Sequence, residues 1–149
     1  MTAWQQELIS LFRTSPVANY FGMTLEFGLT GNSLVSLPYN PNLNHAMGGV
    51  HGGVVATLLD CAGWFACAAR HEGIWIATSE FKVNLLEPAV GRDLRAEGRL
   101  VRGGRRLDVA EMNVTDQEGK LYAVGLGTFV VREDLPFRMD SRQGLGYFK

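Results

Sequence analysis

The first hydrophobic positions of the chain recur with the spacing of an α-helix. They fall at i, i+4, i+7 and i+8, namely at Trp4, Leu8, Leu11 and Phe12. This spacing predicts a short amphipathic helix over residues 2–13, within an N-terminal segment 1–14. The pair Ser15-Pro16 is expected to end this helix, which would cover an edge of the fold or act as a lid.

Alternation of apolar and polar residues predicts β-strands over much of the remaining chain. Residues 20–28 and 32–38 are expected to form a hairpin around Gly31-Asn32. Longer stretches with strand character cover residues 74–86, 94–102, 107–115 and 121–131. The segments between these stretches are short enough for antiparallel hairpins.

A second helix is predicted between the two groups of strands. Residues 53–70 are small or apolar on all sides, which is typical of a helix that is buried on most of its surface. A polar, glycine-rich loop at 40–53 precedes it. The pattern therefore predicts an α+β fold, with an antiparallel β-sheet wrapped around one long central α-helix. We expect residues 1–149 to form a single domain with an irregular C-terminal tail at 133–149.

Composition and charge narrow the function classes. The chain has 149 residues, with 14 basic and 15 acidic side chains and a formal net charge of −1. A chain of this length can bury a core without disulfides or a structural metal. The balanced charge lacks the basic surface that nucleic-acid binding requires, so we expect no nucleic-acid partner.

The cellular setting is predicted from the apolar run and the cysteines. Asp60 interrupts the longest apolar run, and the N-terminus has neither a basic flank nor an apolar leader, so we expect no membrane span and no export signal. Cys61 and Cys67 lie on different faces of the predicted helix and cannot pair with each other. Two reduced cysteines favour a cytoplasmic protein.

Asp60 is the first candidate for chemistry. A carboxylate in the middle of an apolar helix, if buried, costs several kcal/mol unless it is paired or hydrogen-bonded. One interpretation is structural, with the carboxylate meeting water or a hydrogen-bond donor. The other is catalytic, because a partly desolvated aspartate is a candidate general base or nucleophile.

The motif HGG at residues 51–53 is the second candidate. It opens the predicted helix, where unpaired backbone N–H groups and a positive partial charge can form an oxyanion hole, although a purely structural glycine turn is the alternative. Gly52 and Asp60 are eight residues apart, about 12 Å along one helix axis at 1.5 Å per residue. One chain therefore cannot place both groups at the same carbon. If they cooperate, two antiparallel helices from two subunits must meet across a twofold axis.

The run HGGVVATLLD, with Asp60 nine residues after His51, is followed by the strand TSEFKVNLLEPA. Over roughly residues 15–131 this pattern resembles the hotdog-fold acyl-CoA thioesterases of the PaaI-like, phenylacetic-acid-degradation type. The resemblance implies a hotdog fold and hydrolysis of the thioester between an acyl group and coenzyme A. It also implies a homodimer or a homotetramer built from dimers, and we expect no cofactor.

The resemblance also assigns roles to residues. It places the catalytic carboxylate at Asp60 and the backbone donor to the thioester oxygen at Gly52. His51 falls where the family keeps a histidine that helps to hold the loop and the thioester, and Thr78 falls where a Ser or Thr assists the attacking water. The family commonly has Asn six residues before the HGG histidine.

The position six residues before His51 holds His45 in this chain, with Asn44 one residue earlier. We favour His45 for the polar contact, with Asn44 as the alternative.

Other readings of the same residues stay open. A metal site at His45, His51 and Asp60 is disfavoured, because the histidines lie on the loop and the acid two helical turns later. The arginines of the predicted hairpin tip, Arg102, Arg105 and Arg106, could bind the phosphates of coenzyme A or could simply be solvated. A non-catalytic acyl-CoA binding or sensing module on the same fold is the alternative function. A hydratase would need a different pattern of histidine and acid.

Overall fold

A computed structural model describes residues 1–136, and within them an antiparallel sheet packs around one long helix. The helices are α1 (Ala3–Thr14), α2 (Pro16–Phe21) and α3 (Gly52–Ala68). The strands are β1 (Thr24–Phe27), β2 (Ser33–Leu37), β3 (Ile74–Leu85), β4 (Leu94–Gly103), β5 (Leu107–Thr115) and β6 (Leu121–Pro136). Their order in the sheet is β1-β2-β4-β5-β6-β3. The predicted α+β fold with a central helix is therefore confirmed.

Helix α3 lies close to the sheet because glycines remove side chains at the contact. A Cβ atom on Gly63 would lie 2.7 Å from the Phe129 ring, and one on Gly98 would lie 2.2 Å from the backbone oxygen of Ala62. Leu58 and Leu59, one helical turn before these contacts, are fully buried. This packing fixes the height and rotation of α3, including the position of Asp60 one turn before Gly63.

The N-terminal helix covers the C-terminal half of α3. Its N-cap Thr2 forms a capping box with Gln5, and the ring of Phe12 packs edge-on against Phe65 at a centroid distance of 5.0 Å. The Trp4 indole N–H donates to the backbone oxygen of Ala68 at 2.8 Å. The predicted helix is confirmed, and it packs against the central helix.

The prediction of a strand from residue 20 is wrong. Residues 16–21 form α2 instead, and β1 begins only at Thr24. Pro16 sits at the start of α2, where its fixed φ suits a helix, and Gly22 ends the helix at φ 75°. The aromatic pair Tyr20-Phe21 therefore belongs to a short helical turn, although its residue types favour strands.

The C-terminal end of the sheet extends further than predicted. Strand β6 pairs with β3 and continues to Pro136. The expectation of irregular structure from residue 133 is therefore wrong for residues 133–136, because these residues continue the strand that pairs with β3. The rest of the predicted tail lies outside the described residues. Across residues 1–136, no helix is both long enough and apolar enough to cross a membrane.

Strand β3 forms one border of the sheet as described for residues 1–136, since its strand neighbour there is β6 alone. The pairing with β6 shifts register between Thr78 and Glu80, so Ser79 is an extra residue in β3. Such a β-bulge bends a strand and redirects its side chains. This irregularity lies beside the middle of α3.

Candidate active site

Asp60 lies on a partly exposed stripe of α3. The stripe runs along one side of the helix and consists of Gly53, Ala56, Thr57, Asp60 and Trp64. The Thr78 hydroxyl donates a hydrogen bond to Asp60 Oδ1 at 2.8 Å. No other hydrogen bond to this carboxylate occurs within residues 1–136. The structure therefore brings together two of the predicted site residues, Asp60 and Thr78. The second carboxylate oxygen of Asp60 has no hydrogen-bond partner in that range.

The contact between Asp60 and Thr78 is set by how α3 is held against β3. The Trp64 indole N–H donates to the backbone oxygen of Ile76 at 2.9 Å, while the Ile76 side chain is fully buried. Thr78 follows two residues later on the same face of the strand, just before the bulge at Ser79. Asp60 precedes Trp64 by about one helical turn. These contacts place the hydroxyl opposite the carboxylate.

Burial makes Asp60 more basic than an ordinary aspartate. Desolvation raises the pKa of its carboxyl group, and the hydrogen bond from Thr78 lowers that pKa only in part. The neighbouring Cys61 is unsuited as a nucleophile, because burial and the Asp60 charge raise the pKa of its thiol to about 12. Both cysteines are free thiols, as predicted.

The start of α3 presents an unused backbone donor. His51 is the N-cap of the helix, and its Nδ1 accepts from the Gly53 N–H at 2.9 Å. The His51 N–H donates to the backbone oxygen of Leu43 at 2.9 Å, which ties the loop to the fold. Within residues 1–136 no hydrogen bond uses the Gly52 N–H. This N–H is thus available to a ligand at the positive end of the helix.

His45 stands at the turn before α3 with its ring held in place. Its N–H donates to the Gly49 oxygen at 2.8 Å, and the turn contains Gly48 at φ 86°. Ring atom Nδ1 accepts from the Met47 N–H at 3.1 Å. In a neutral imidazole the proton must then be on Nε2, which becomes a hydrogen-bond donor. A Cβ atom on Gly49 would lie 2.8 Å from Nε2, so glycine leaves room for the ring.

His45 and Gly52 share a cleft of about 310 Å³ at the N-terminal end of α3. Its other lining residues are mostly apolar: Val50, Val55, Leu85, Leu86, Glu87, Pro88, Ala89 and Tyr122. Asp60 is not among the lining residues. Within one subunit the predicted site residues therefore lie in two separate places. Gly52 and His45 lie at the cleft, whereas Asp60 and Thr78 lie half-way along α3.

Asn44 points elsewhere. Its side-chain nitrogen donates to the Tyr39 hydroxyl at 3.3 Å, and its Oδ1 is buried without a partner in residues 1–136. Its backbone pairs with Val50 as an isolated bridge that closes the loop. Of the two residues considered for the family's asparagine position, His45 reaches the cleft and Asn44 supports the loop.

The arginines of the β4–β5 hairpin, Arg102, Arg105 and Arg106, are all exposed. They lie near the C-terminal end of α3, where Arg70 binds the backbone of Gly104. No group of three histidine, cysteine or acidic side chains within residues 1–136 could hold a metal ion.

Sequence reasoning missed two features of the site. The wall of the cleft formed by Leu85, Leu86 and Tyr122 was interpreted only as strand, and Pro88 was interpreted only as a separator. The signal that could have found the wall is Pro88, which follows the end of the long strand β3 by three residues and lies in the same cleft as the start of the central helix. The buried carboxylate of Asp108 did leave a signal that was not used, because it falls in the buried register of β5 with Ala110, Met112 and Val114, where alternation calls for an apolar residue.

Comparison with known proteins agrees with this architecture. A family profile described as "Thioesterase superfamily" matches residues 47–123, just over half of the chain. A Saccharolobus solfataricus protein with a provisional esterase name is 31% identical over 125 residues, covering 84% of this chain and 83% of its own. The medium/long-chain acyl-CoA thioesterase YigI of Escherichia coli is 29% identical over 102 residues, covering 59% of this chain and 66% of its own.

A solved structure supports the fold. The Escherichia coli PaaI protein from the phenylacetic acid degradation operon superposes with a TM-score of 0.76 at 20% identity, covering 85% of this chain and 91% of that one. The resemblance predicted from the sequence is thus confirmed for family and fold. The chain belongs to the thioesterase superfamily and has the hotdog fold.

Proposed function

We propose that this chain hydrolyses acyl-CoA thioesters to a free acid and coenzyme A. The observation that carries the proposal is the basic carboxylate of Asp60, which is held by Thr78 on a partly exposed stripe of an otherwise buried helix. Membership of the thioesterase superfamily supports thioester hydrolysis in general. The choice of coenzyme A as the thiol is supported by the name of the relative YigI.

The complete site requires two subunits. Gly52 and Asp60 are about 12 Å apart along α3, and the cleft at Gly52 does not include Asp60. Two copies of α3 that run antiparallel across a twofold axis would place Gly52 of one beside Asp60 of the other, twice. Such a homodimer would form on the partly exposed stripe of α3 and on the border of β3 that no other strand of residues 1–136 covers. A homotetramer and a cytoplasmic location stay predictions.

The Gly52 N–H acts on the thioester oxygen. Negative charge develops on this oxygen as the carbonyl carbon becomes tetrahedral, and a positioned donor at a helix N-terminus stabilises that charge. His45 Nε2 shares the cleft and supplies a second donor. The ring of His51 holds the first turn of α3 through the Gly53 N–H and so fixes the direction of the Gly52 amide.

Asp60 of the partner then completes the reaction by one of two routes. In the first, its carboxylate removes a proton from water while the water oxygen bonds to the carbonyl carbon. The C–S bond breaks, and the proton passes to the thiolate of coenzyme A. In the second, the carboxylate attacks directly, coenzyme A leaves, and water hydrolyses the resulting anhydride. Thr78 orients the carboxylate in both routes and assists the water.

The cleft walls suggest where the acyl group lies. Leu85, Leu86 and Tyr122 offer apolar surface next to Gly52 and can bury part of an acyl chain. Acetyl, medium-chain, long-chain and aryl-acetyl thioesters of coenzyme A differ in how much of this surface they cover. A panel of these substrates, ranked by kcat/KM, identifies the acyl group.

The decisive variant is Asp60→Asn, which keeps the size and removes the basic oxygen. A positioned base contributes about 10² to 10⁴ in rate, so kcat measured by release of free thiol should fall by that factor with KM little changed. Glu7→Gln, an exposed acid on α1, is the matched control and should behave as the original chain. Hydrolysis by Asp60→Asn within a few-fold of the original would contradict the proposal. Acyl-CoA binding without any thiol release by the original chain would favour the binding module instead.

A further inference from the structure

The hairpin between β4 and β5 carries a concentration of uncompensated positive charge. Arg102, Arg105 and Arg106 make no ion pair and no side-chain hydrogen bond with any residue from 1 to 136. Most other basic side chains in that range are paired with acids, namely Arg70, Arg92, Arg95, Arg99, Lys120 and Arg132. In a chain with a net charge of −1, these three arginines, called the arginine tip below, form an anion-attracting surface.

The arginine tip is fixed to the C-terminal end of α3. Asp108 is fully buried and binds Arg70 Nη1 at 2.9 Å, His71 Nε2 at 2.8 Å and the Gly104 N–H at 2.9 Å. Arg70 also donates to the Gly104 oxygen at 3.2 Å. A Cβ atom on Gly103 would lie 2.2 Å from Arg70 Nη1, so glycine permits this close contact. The Asp108 charge is thus bound internally and does not neutralise the tip.

The position of the tip determines which active site it can serve. Eight residues separate Asp60 from Ala68 at the end of α3, about 12 Å, whereas sixteen separate Gly52 from Ala68, about 24 Å. In the antiparallel pair, the C-terminal half of α3 extends past the Gly52 of the partner. The tip therefore lies on the side of the site to which its own Asp60 contributes.

We propose that the arginine tip binds the phosphate groups of coenzyme A, in the site that receives Asp60 from the same subunit. This inference rests on the proposed function. The pantetheine arm between the thioester and the phosphates is about four peptide-like repeats long, roughly 15 Å when extended at about 3.5 Å per repeat. That reach matches the distance from Asp60 to the end of α3. Guanidinium groups bind phosphate oxygens in pairs, which suits three adjacent arginines.

The test compares two thioesters, an acyl-CoA and the corresponding acyl-pantetheine, which lacks the adenosine moiety together with all of the phosphates. The triple variant R102Q/R105Q/R106Q should raise KM for the acyl-CoA by about 10- to 100-fold, with kcat within about twofold. Its KM for the acyl-pantetheine should equal that of the original chain. The control is Arg13→Gln, which removes an exposed arginine of α1 that also lacks an acidic partner in residues 1–136.

The outcomes separate this inference from the proposed function. If the original chain hydrolyses both thioesters and the triple variant keeps its KM for acyl-CoA, the arginine tip does not bind the phosphates. The same conclusion follows if the triple variant raises KM for both substrates equally. If the original chain hydrolyses neither thioester, the proposed function itself fails.

The subunit assignment has its own test in mixed dimers. A chain with the triple substitution is co-expressed with a chain carrying Asp60→Asn, so that every working site uses Asp60 from the triple-variant chain. All activity should then show the raised KM for acyl-CoA. If part of the measured activity kept the original KM for acyl-CoA, the assignment would be wrong, because the arginine tip of the Asp60→Asn chain would then serve that site.

Discussion

Replacement of Gly52 by proline removes one backbone N–H while leaving the helix intact. Gly52 is the first residue of α3, the position at which proline is favoured in helices. The preceding His51 has φ −61° and ψ 136°, in the extended region that a following proline requires. The Gly52 N–H forms no hydrogen bond within residues 1–136, so the substitution breaks no hydrogen bond in that part of the chain.

The expected size of the effect follows from the role of this N–H. Loss of one oxyanion donor lowers kcat by about 10² to 10³, or roughly 2.7 to 4 kcal/mol in the barrier. The steric change is separable, because Gly52→Ala adds the same Cβ atom and keeps the N–H. That Cβ atom would lie 2.6 Å from Leu85 Cδ1, but the Leu85 side chain is 55% exposed and can move aside.

The measurement is thiol release from an acyl-CoA by both Gly52 variants, together with thermal unfolding followed by circular dichroism. Both variants should unfold within a few degrees of the original chain, which corresponds to about 1 kcal/mol or less. Gly52→Pro should lose two to three decades in kcat, while Gly52→Ala stays within about tenfold. Equal activity of the two variants would refute the role of the amide, whether both are active or both are impaired.

Three further predictions concern the other site residues. Asp60→Asn should be more stable than the original chain at neutral pH, because the folded state raises the pKa of this aspartate and its ionised form opposes folding. Urea titrations should show this advantage shrinking as the pH falls through the raised value towards the ordinary aspartate range; an advantage that is independent of pH would contradict the cause. Thr78→Val removes the hydrogen bond that lowers the Asp60 pKa, so the acidic limb of the kcat profile should move to higher pH, whereas Thr78→Ser should leave it unchanged. His45→Ala should lower kcat by about 10- to 100-fold and His45→Asn by less, since the amide restores a donor; equal losses would assign His45 to the loop alone.

Much of the fold could be predicted because its strongest patterns are local. Helix α3 consists almost entirely of small or apolar residues. The four long strands alternate apolar and polar residues and are separated by short turns, so each element can be recognised within its own segment. The helix α2 was missed because Tyr20 and Phe21 have strand propensity, while its start depends on Pro16 and its end on Gly22. The backbone angles that Pro16 and Gly22 impose outweighed the strand propensities of Tyr20 and Phe21.

The site was predictable in its residues and only partly in its geometry. Asp60 and Gly52 were found because a carboxylate in an apolar helix and a glycine pair at a helix start are anomalous in sequence. The contact between Asp60 and Thr78 spans eighteen residues and depends on how α3 is held against β3 through Trp64 and Ile76, which alternation does not reveal. The choice between His45 and Asn44 likewise depends on the fold of a turn, in which the Met47 N–H holds the ring of His45.

The central claim is that Gly52 of one subunit and Asp60 of another form each active site. It is tested most directly by co-expressing a Gly52→Pro chain with an Asp60→Asn chain, each inactive alone. In a mixed dimer one site keeps both groups, so random assembly should restore about one quarter of the original kcat. If the mixture stays as inactive as the separate variants, with mixed dimers shown to be present, Gly52 and Asp60 do not act across the subunit interface.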